Sequence, residues 1–125
     1  MVTMLSTRER VEMLIAMAEQ GKFLEAIQEF YAEDATMQEN SQPPRVGLAA
    51  LLENERRVLA SLQEIRVNRA DSFLVDGDRS AINWVYLFID ARGREIRRNE
   101  MAYQVWQNGK IIRERFFYAA DTALI

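Results

Sequence analysis

Residues 95–118 read EIRRNEMAYQVWQNGKIIRERFFY, and the pair Asn108–Gly109 inside them decides the architecture. Asn-Gly is the strongest two-residue signal for a β-hairpin, because a type I′ turn needs positive φ at both positions. On either side of it β-branched and aromatic residues recur in a strand-like pattern. Strands are therefore predicted over residues 95–106 and 111–119. Upstream, Arg92–Gly93 predicts a second turn, preceded by a strand at residues 80–90. Asp76–Gly77–Asp78 predicts a third, ending a strand that carries Ile65, Val67, Phe73 and Val75 on odd positions.

The first half has a different period. Ser6 and Glu9 form a capping box, after which Val11, Leu14, Ile15 and Ala18 mark one helical face up to Gly21. Phe23, Ile27, Phe30 and Tyr31 predict a second helix over residues 22–32. Ala35–Glu39 reads as a short extended piece, followed by a loop in which Pro43 and Pro44 forbid helix. A third helix follows Gly47, with Leu48, Leu51, Leu52, Val58, Leu59 and Leu62 inward and Glu53, Asn54, Arg56 and Arg57 in water. Helices first and antiparallel strands second make an α+β chain with its helices on one face of a sheet. No repeat or linker divides it, so residues 1–125 are read as one domain.

Tight turns convert into a map of faces. A two-residue loop at Asn108–Gly109 pairs Tyr103 with Glu114, Met101 with Phe116 and Asn99 with Tyr118. A similar loop at Arg92–Gly93 pairs Met101 with Trp84 and Asn99 with Tyr86. The preceding strand adds Val67, Asp71, Phe73 and Val75. This face is mostly apolar and aromatic, with Asp71, Tyr86, Asn99, Tyr103, Glu114 and Tyr118 as its polar members. The opposite face carries Asn83, Val85, Arg98, Glu100, Gln104, Trp106, Arg113, Arg115 and Phe117. A one-residue bulge would exchange the faces. Trp84, Phe88 and Phe116 read as core. Glu114 stands out, since a carboxylate on a buried apolar face is costly unless paired, for which Arg69 is the candidate partner.

Composition narrows the chemistry. The 125 residues are 49% hydrophobic and 28% charged, with a net charge of −3, so no strong field favours nucleic acid or anionic lipid. Arg94–Arg98 is a basic cluster without an aromatic platform and reads as a solvated strand end. Neither cysteine nor histidine occurs. Disulfides, thiolate metal sites and histidine-based triads are thereby excluded, leaving carboxylates, tyrosine, lysine and water for acid–base work. No signal-peptide core follows Met1 and no apolar run reaches the ~18–20 residues of a membrane span. A cytoplasmic protein is the expectation, with no cofactor and no bound metal.

Several local words resemble one family. Glu25–Ala26–Ile27 with Phe30–Tyr31–Ala32–Glu33–Asp34–Ala35–Thr36, the glycine-led Gly47–Leu51, and Asn108–Glu114 through Phe117–Tyr118 are similar to the SnoaL-like and ketosteroid-isomerase-like members of the nuclear-transport-factor-2-like superfamily. The resemblance implies a cystatin-like cone, with three N-terminal helices on a strongly curved antiparallel sheet enclosing a pocket. It places Glu39 where the steroid isomerases carry their catalytic base. The isomerase oxyanion donors fall near Leu14 and near Met101 or Ala102, so both are missing here. Cyclase histidines are absent, and the Asp–Arg–Asp set of the limonene epoxide hydrolases has no counterpart.

The resulting expectation is a SnoaL-like protein binding a small apolar or amphipathic molecule. Glu39 and Glu114 are its candidate catalytic carboxylates, for isomerase, cyclase or hydratase chemistry. Ala35, Met37 and Glu39 share a parity that points inward, and Glu114 is expected beside the Tyr103 hydroxyl. Tyr31, Asp71, Trp84, Tyr86, Asn99, Met101, Tyr103, Phe116 and Tyr118 are the candidate ligand contacts. The alternative is a noncatalytic binding or dimerisation module whose cone is filled by its own side chains. A homodimer is expected through Val85, Leu87, Trp106, Ile111 and Phe117, with Arg113, Arg115 and Glu100 supplying charged contacts.

Overall fold

A computed structural model describes residues 5–119 and the backbone of 123–124; the outer limits of a 1–125 domain lie outside the described residues. Helix α1 (Thr7–Glu19) starts on the capping box, Ser6 Oγ accepting from Glu9 N–H at 3.1 Å and Glu9 Oε1 from Ser6 N–H at 3.0 Å. Helix α2 (Phe23–Phe30) runs directly into strand β1 (Tyr31–Glu39), which is longer than the extended piece expected from residue 35. Strand β2 (Arg45–Val46) and helix α3 (Leu48–Ala60) follow. Gly47 between them has φ 95° and ψ 142°, a combination open to glycine almost alone, and its N–H donates to the Ala35 carbonyl at 2.8 Å.

The second half is a meander of β3 (Leu62–Asp76), β4 (Arg79–Asp90), β5 (Glu95–Gln107) and β6 (Lys110–Phe117), with the two-residue β7 (Ala123–Leu124) on β5. The strand order is β2-β1-β6-β5-β4-β3. The three helices pack on one face of this curved, unclosed sheet. It is antiparallel except at one seam, where β1 runs parallel to β6 with Met37 opposite Glu114 and Glu39 opposite Phe116.

Register is where sequence and structure differ. Asp90 and Arg94 close a three-residue loop, the Arg94 carbonyl accepting from Asp90 N–H at 3.0 Å, with Gly93 at φ 78°. Trp84 therefore lies opposite Glu100 and Tyr86 opposite Arg98, one residue away from the expected partners Met101 and Asn99. The Asn108–Gly109 turn pairs Gln107 with Lys110 as expected, but a bulge at Ile112 of β6, between the Trp106–Ile111 and Val105–Arg113 pairs, then sets Gln104 opposite Glu114 and Ala102 opposite Phe116. In β3, irregularities near Ile65–Val67 and Ala70–Ser72 break the odd-position rule: Val67 pairs with outward Leu87, and Asp71 is exposed beside Arg69 at 4.0 Å.

The face beneath the helices consequently carries Ser80, Ile82, Trp84 and Tyr86 from β4 and Glu100, Ala102 and Gln104 from β5. Val11, Phe30, Ala35, Leu51, Ile82, Ala102 and Ile111 are fully buried at its centre. Trp106 and Ile111, expected on the outer face, are in this core at 3% and 0% exposure. Asn99, Met101 and Tyr103, expected inside, are on the outer face and exposed. No helix among the described residues is long and apolar enough to cross a membrane.

Candidate functional site

Two adjoining chambers open between the helices and the sheet. The outer one, of about 140 Å³, is walled by Val58 and Leu59 of α3, Phe88 of β4 and, on the polar side, Glu39, Glu55, Arg98 and Glu100. The inner one, of about 80 Å³, reaches Leu14 and Ile27 on the helix side and Tyr31, Gln104 and Glu114 at its end. Phe23, Met37, Glu55, Tyr86 and Phe116 border both. Period-2 alternation along β4 stacks Trp84, Tyr86 and Phe88 into one wall, with ring centroids 5.9 and 5.0 Å apart.

Four carboxyls meet this apolar space in different electrostatic states. Glu39, last residue of β1, accepts from the Tyr118 hydroxyl at 2.7 Å and pairs with Arg45 at 2.7 Å. Burial works to raise its pKa, but Tyr118, Arg45 and Arg98 together outweigh that and hold it below the ordinary value. Glu114, 2% exposed, accepts from the Tyr31 hydroxyl and from Gln104 Nε2, the latter at 2.6 Å. Burial raises it to about 7, against the two donors that favour its charged form, and Glu55 adds to the rise. Glu100, 7% exposed, is pushed up to about 8, by burial first and by Glu114, Glu39 and Glu55 after it, while Arg98 works against them. Glu55 on α3 is raised for the same reason, desolvation before the repulsion of Glu39. The Arg98 guanidinium is 4.2 Å from the Tyr118 ring centroid and 5.8 Å from that of Phe88, a partly cation–π setting.

The chambers bring together Glu39, Glu114, Tyr31, Trp84, Tyr86 and Phe116 of the residues singled out by sequence, and Tyr118 reaches them through Glu39. Asp71, Asn99, Met101 and Tyr103 are not among the lining residues. Glu114 meets Tyr31 in place of Tyr103, whose hydroxyl accepts from Arg79 at 2.7 Å on the outer face, and Arg69, its suggested partner, pairs with Asp71. Sequence reasoning put Glu100, Gln104 and Arg98 on the wrong face and left Glu55 out. Asn54, expected in water, lines the outer chamber. The signal for Glu55 is its spacing of four from Leu51 and Leu59, which puts all three on one side of α3. No group of three or more acidic side chains among the described residues is arranged to hold a metal ion.

Comparison with known proteins bears on the family and the fold. A family model described as a SnoaL-like domain matches residues 11–114. No curated protein sequence matches the chain. A solved protein from Mesorhizobium loti, assigned as a SnoaL-like polyketide cyclase, superposes with a TM-score of 0.80 at 22% identity, over 91% of this chain and 100% of that one. A ketosteroid-isomerase-like protein from Catenulispora acidiphila, in complex with trimethylamine, gives 0.78 at 17% identity, over 95% and 92%. A protein with a cystatin-like fold from Xanthomonas campestris gives 0.80 at 17% identity, over 94% and 93%. At such identities these likenesses speak for the fold alone.

Proposed function

Because this chain belongs to the SnoaL-like domain family, we propose that its paired chambers bind a small, largely apolar molecule and that Glu39 and Glu114 act on it as base and acid. One feature carries the reading: the carboxyls of two adjoining chambers, Glu39 in the outer and Glu114 in the inner, are displaced in opposite directions, Glu39 downward and Glu114 up to about 7. Environments that drive two like groups apart in this way assign one to each half of a proton transfer. Near neutral pH Glu114 holds its proton for part of the time and Glu39 is ionised, which supplies the two roles without histidine. Enolisation, cyclisation and hydration are each served by such a pair. The Catenulispora neighbour, crystallised with trimethylamine, supports a ligand-binding use of the fold.

Carboxyl titration by NMR of the chain labelled at glutamate Cδ tests the proposal. Glu114 is expected to titrate near 7 and Glu39 below the ordinary value of ~4.3; midpoints for both near 4.3 would sink the acid–base assignment. Size favours one element of a second reading, a noncatalytic module with a largely filled cone. The outer chamber's 140 Å³ is well under the ~300–1,000 Å³ typical of ligand sites, so an occupant must be small or must displace α3.

We further propose a homodimer through the outer face. Met101, Tyr103 and Phe117 are 41%, 37% and 44% exposed there, and with Arg113, Arg115, Thr36 and Pro44 the last two line a shallow groove. Val85 and Leu87 extend the apolar area, while Trp106, Ile111 and Glu100 have no part in it because they face inward. Sedimentation equilibrium at micromolar concentration should return a dimer that Phe117→Arg dissociates. A wild-type monomer would refute this assembly.

A further inference from the structure

Behind Glu114 runs a chain of hydrogen bonds whose direction is set at its far end. The Trp106 indole Nε1–H can only donate, and it does so to Ser80 Oγ at 2.8 Å. Ser80, 3% exposed, passes its own proton to Gln104 Oε1 at 2.6 Å. With its carbonyl so engaged, Gln104 turns its Nε2 to Glu114 Oε2 at 2.6 Å. The reverse amide orientation would leave the Ser80 proton without an acceptor and aim an oxygen at a carboxylate. Oε2 of Glu114 is thus reserved as an acceptor in either protonation state. Any proton that Glu114 holds is on Oε1, and Oε1 faces the Tyr31 hydroxyl.

We propose that Tyr31 and Glu114 form a hydroxyl switch at the end of the inner chamber. With Glu114 protonated, its Oε1–H donates to Tyr31 Oη and the tyrosine's own O–H is released to donate into the chamber. With Glu114 ionised, the Tyr31 O–H turns back to the carboxylate, and this end of the chamber presents only oxygen lone pairs. Resting on the ligand-binding reading above, this deepens it: the protonated form takes an apolar molecule with an acceptor oxygen, such as a ketone, at its buried end. Tyr31 is the group in contact with that oxygen, because it lines the chamber and has no second partner among the described residues. Gln104, Ser80 and Trp106 are positioning residues.

The groups that act on the switch are few. Glu55 faces it from α3, Tyr86 from β4 and Glu100 from β5, whereas α1 and α2 contribute only the apolar Leu14, Ala18, Phe23, Ala26 and Ile27 to the chamber. Raising of Glu114 to about 7 sets the changeover at neutral pH. Tyr31 itself is held well above its ordinary value, by burial first and then by Glu114, so it stays a neutral phenol throughout.

Two NMR arms test this on the full chain. In the first, without ligand, tyrosine Cζ and glutamate Cδ labels are followed from pH 5 to 9. Tyr31 Cζ should shift with the Glu114 midpoint and lose that shift in Glu114→Gln. Trp106→Phe, three links away, should raise the Glu114 midpoint by about one pH unit as Gln104 is freed to turn. A Tyr31 resonance indifferent to Glu114, or a midpoint unmoved by Trp106→Phe in a folded chain, overturns the switch. In the second arm cyclohexanone and cyclohexanol are titrated against the Trp84 indole signal. Cyclohexanone should bind at least fivefold tighter at pH 6 than at pH 9, cyclohexanol should not, and Tyr31→Phe should abolish the difference. Identical pH profiles for both probes overturn the switch. If neither probe moves Trp84 while the first arm holds, the ligand-binding reading falls and the switch stands.

Discussion

The unfolding free energy of the wild-type chain will fall as pH rises from 5 to 9, and Glu100→Gln and Glu114→Gln will each remove a large part of that fall. Glu100 and Glu114 are raised to about 8 and about 7 from an ordinary 4.5. A group whose folded-state pKa is raised binds its proton more tightly in the native chain than in the unfolded one. Its contribution is complete below the unfolded value and is lost as pH climbs through the folded value. The window is therefore bounded by ~4.5 and ~8, with the steepest part near neutrality. Each pH unit of displacement corresponds to about 1.4 kcal/mol, so between pH 5 and 9 the two groups together account for a loss on the order of 7 kcal/mol, much of a small domain's stability. Glu39 runs the other way: its lowered pKa supports the fold above the ordinary carboxylate range and is lost only in stronger acid. Urea denaturation at pH 5, 7 and 9 measures the slope. A wild type as stable at pH 9 as at pH 5 would mean that both carboxyls are solvated.

Phe30→Ala will cost about 3–5 kcal/mol, as removal of a buried aromatic generally does. Phe30 is 0% exposed, ends α2 and meets Trp106 edge-on at 6.4 Å and 75°. On its other side the Arg10 guanidinium is 4.9 Å from the ring centroid. Neighbouring groups are poorly placed to refill the void, because α2 passes into β1 at the very next residue and cannot tilt alone. Leu74, 76% exposed, is the control, and Leu74→Ala should stay within about 0.5 kcal/mol of wild type. A Phe30→Ala loss below about 1 kcal/mol would show that the cone collapses around the missing ring.

Element order was legible because each transition carries its own chemistry: the Ser6–Glu9 box, the Pro43–Pro44 break, Gly47, and three turns rich in glycine. Faces were harder, and the error has a compact cause. The Asp90–Arg94 loop is one residue longer than a two-residue turn, which reverses β5 relative to β4. The bulge at Ile112 then reverses β6 relative to β5. Two reversals restore the original side, so Glu114 and Phe116 meet Trp84 and Tyr86 as expected. β5 between them changes, as does Ile111 on the turn side of the bulge, sending Asn99, Met101 and Tyr103 outward and bringing Arg98, Glu100 and Gln104 in. The longer loop does leave a trace in the sequence. Asp90 with Gly93 three residues on is the signature of a type I turn followed by a left-handed glycine, and the Asp90 carboxylate accepts from the N–H groups of Arg92 and Arg94, both at 2.9 Å. The bulge has no such marker, since Val105, Trp106, Ile111 and Ile112 are all apolar and fit either face.

The parallel seam between β1 and β6 bears on how this molecule comes into being. The β3–β6 meander joins segments adjacent in the chain and closes through short loops, the kind of contact that forms early. The seam joins Tyr31 to Ile111 and Glu39 to Phe116, and so waits for the far end of the polypeptide. On a ribosome, residues 31–39 emerge long before their partner and have no strand to lie against, apart from the two-residue β2. Tyr31 and Glu114 belong to opposite sides of that seam, as do Glu39 and Tyr118. Both hydrogen-bonded pairs therefore depend on this long-range docking, and the β3–β6 meander without β1 holds neither of them.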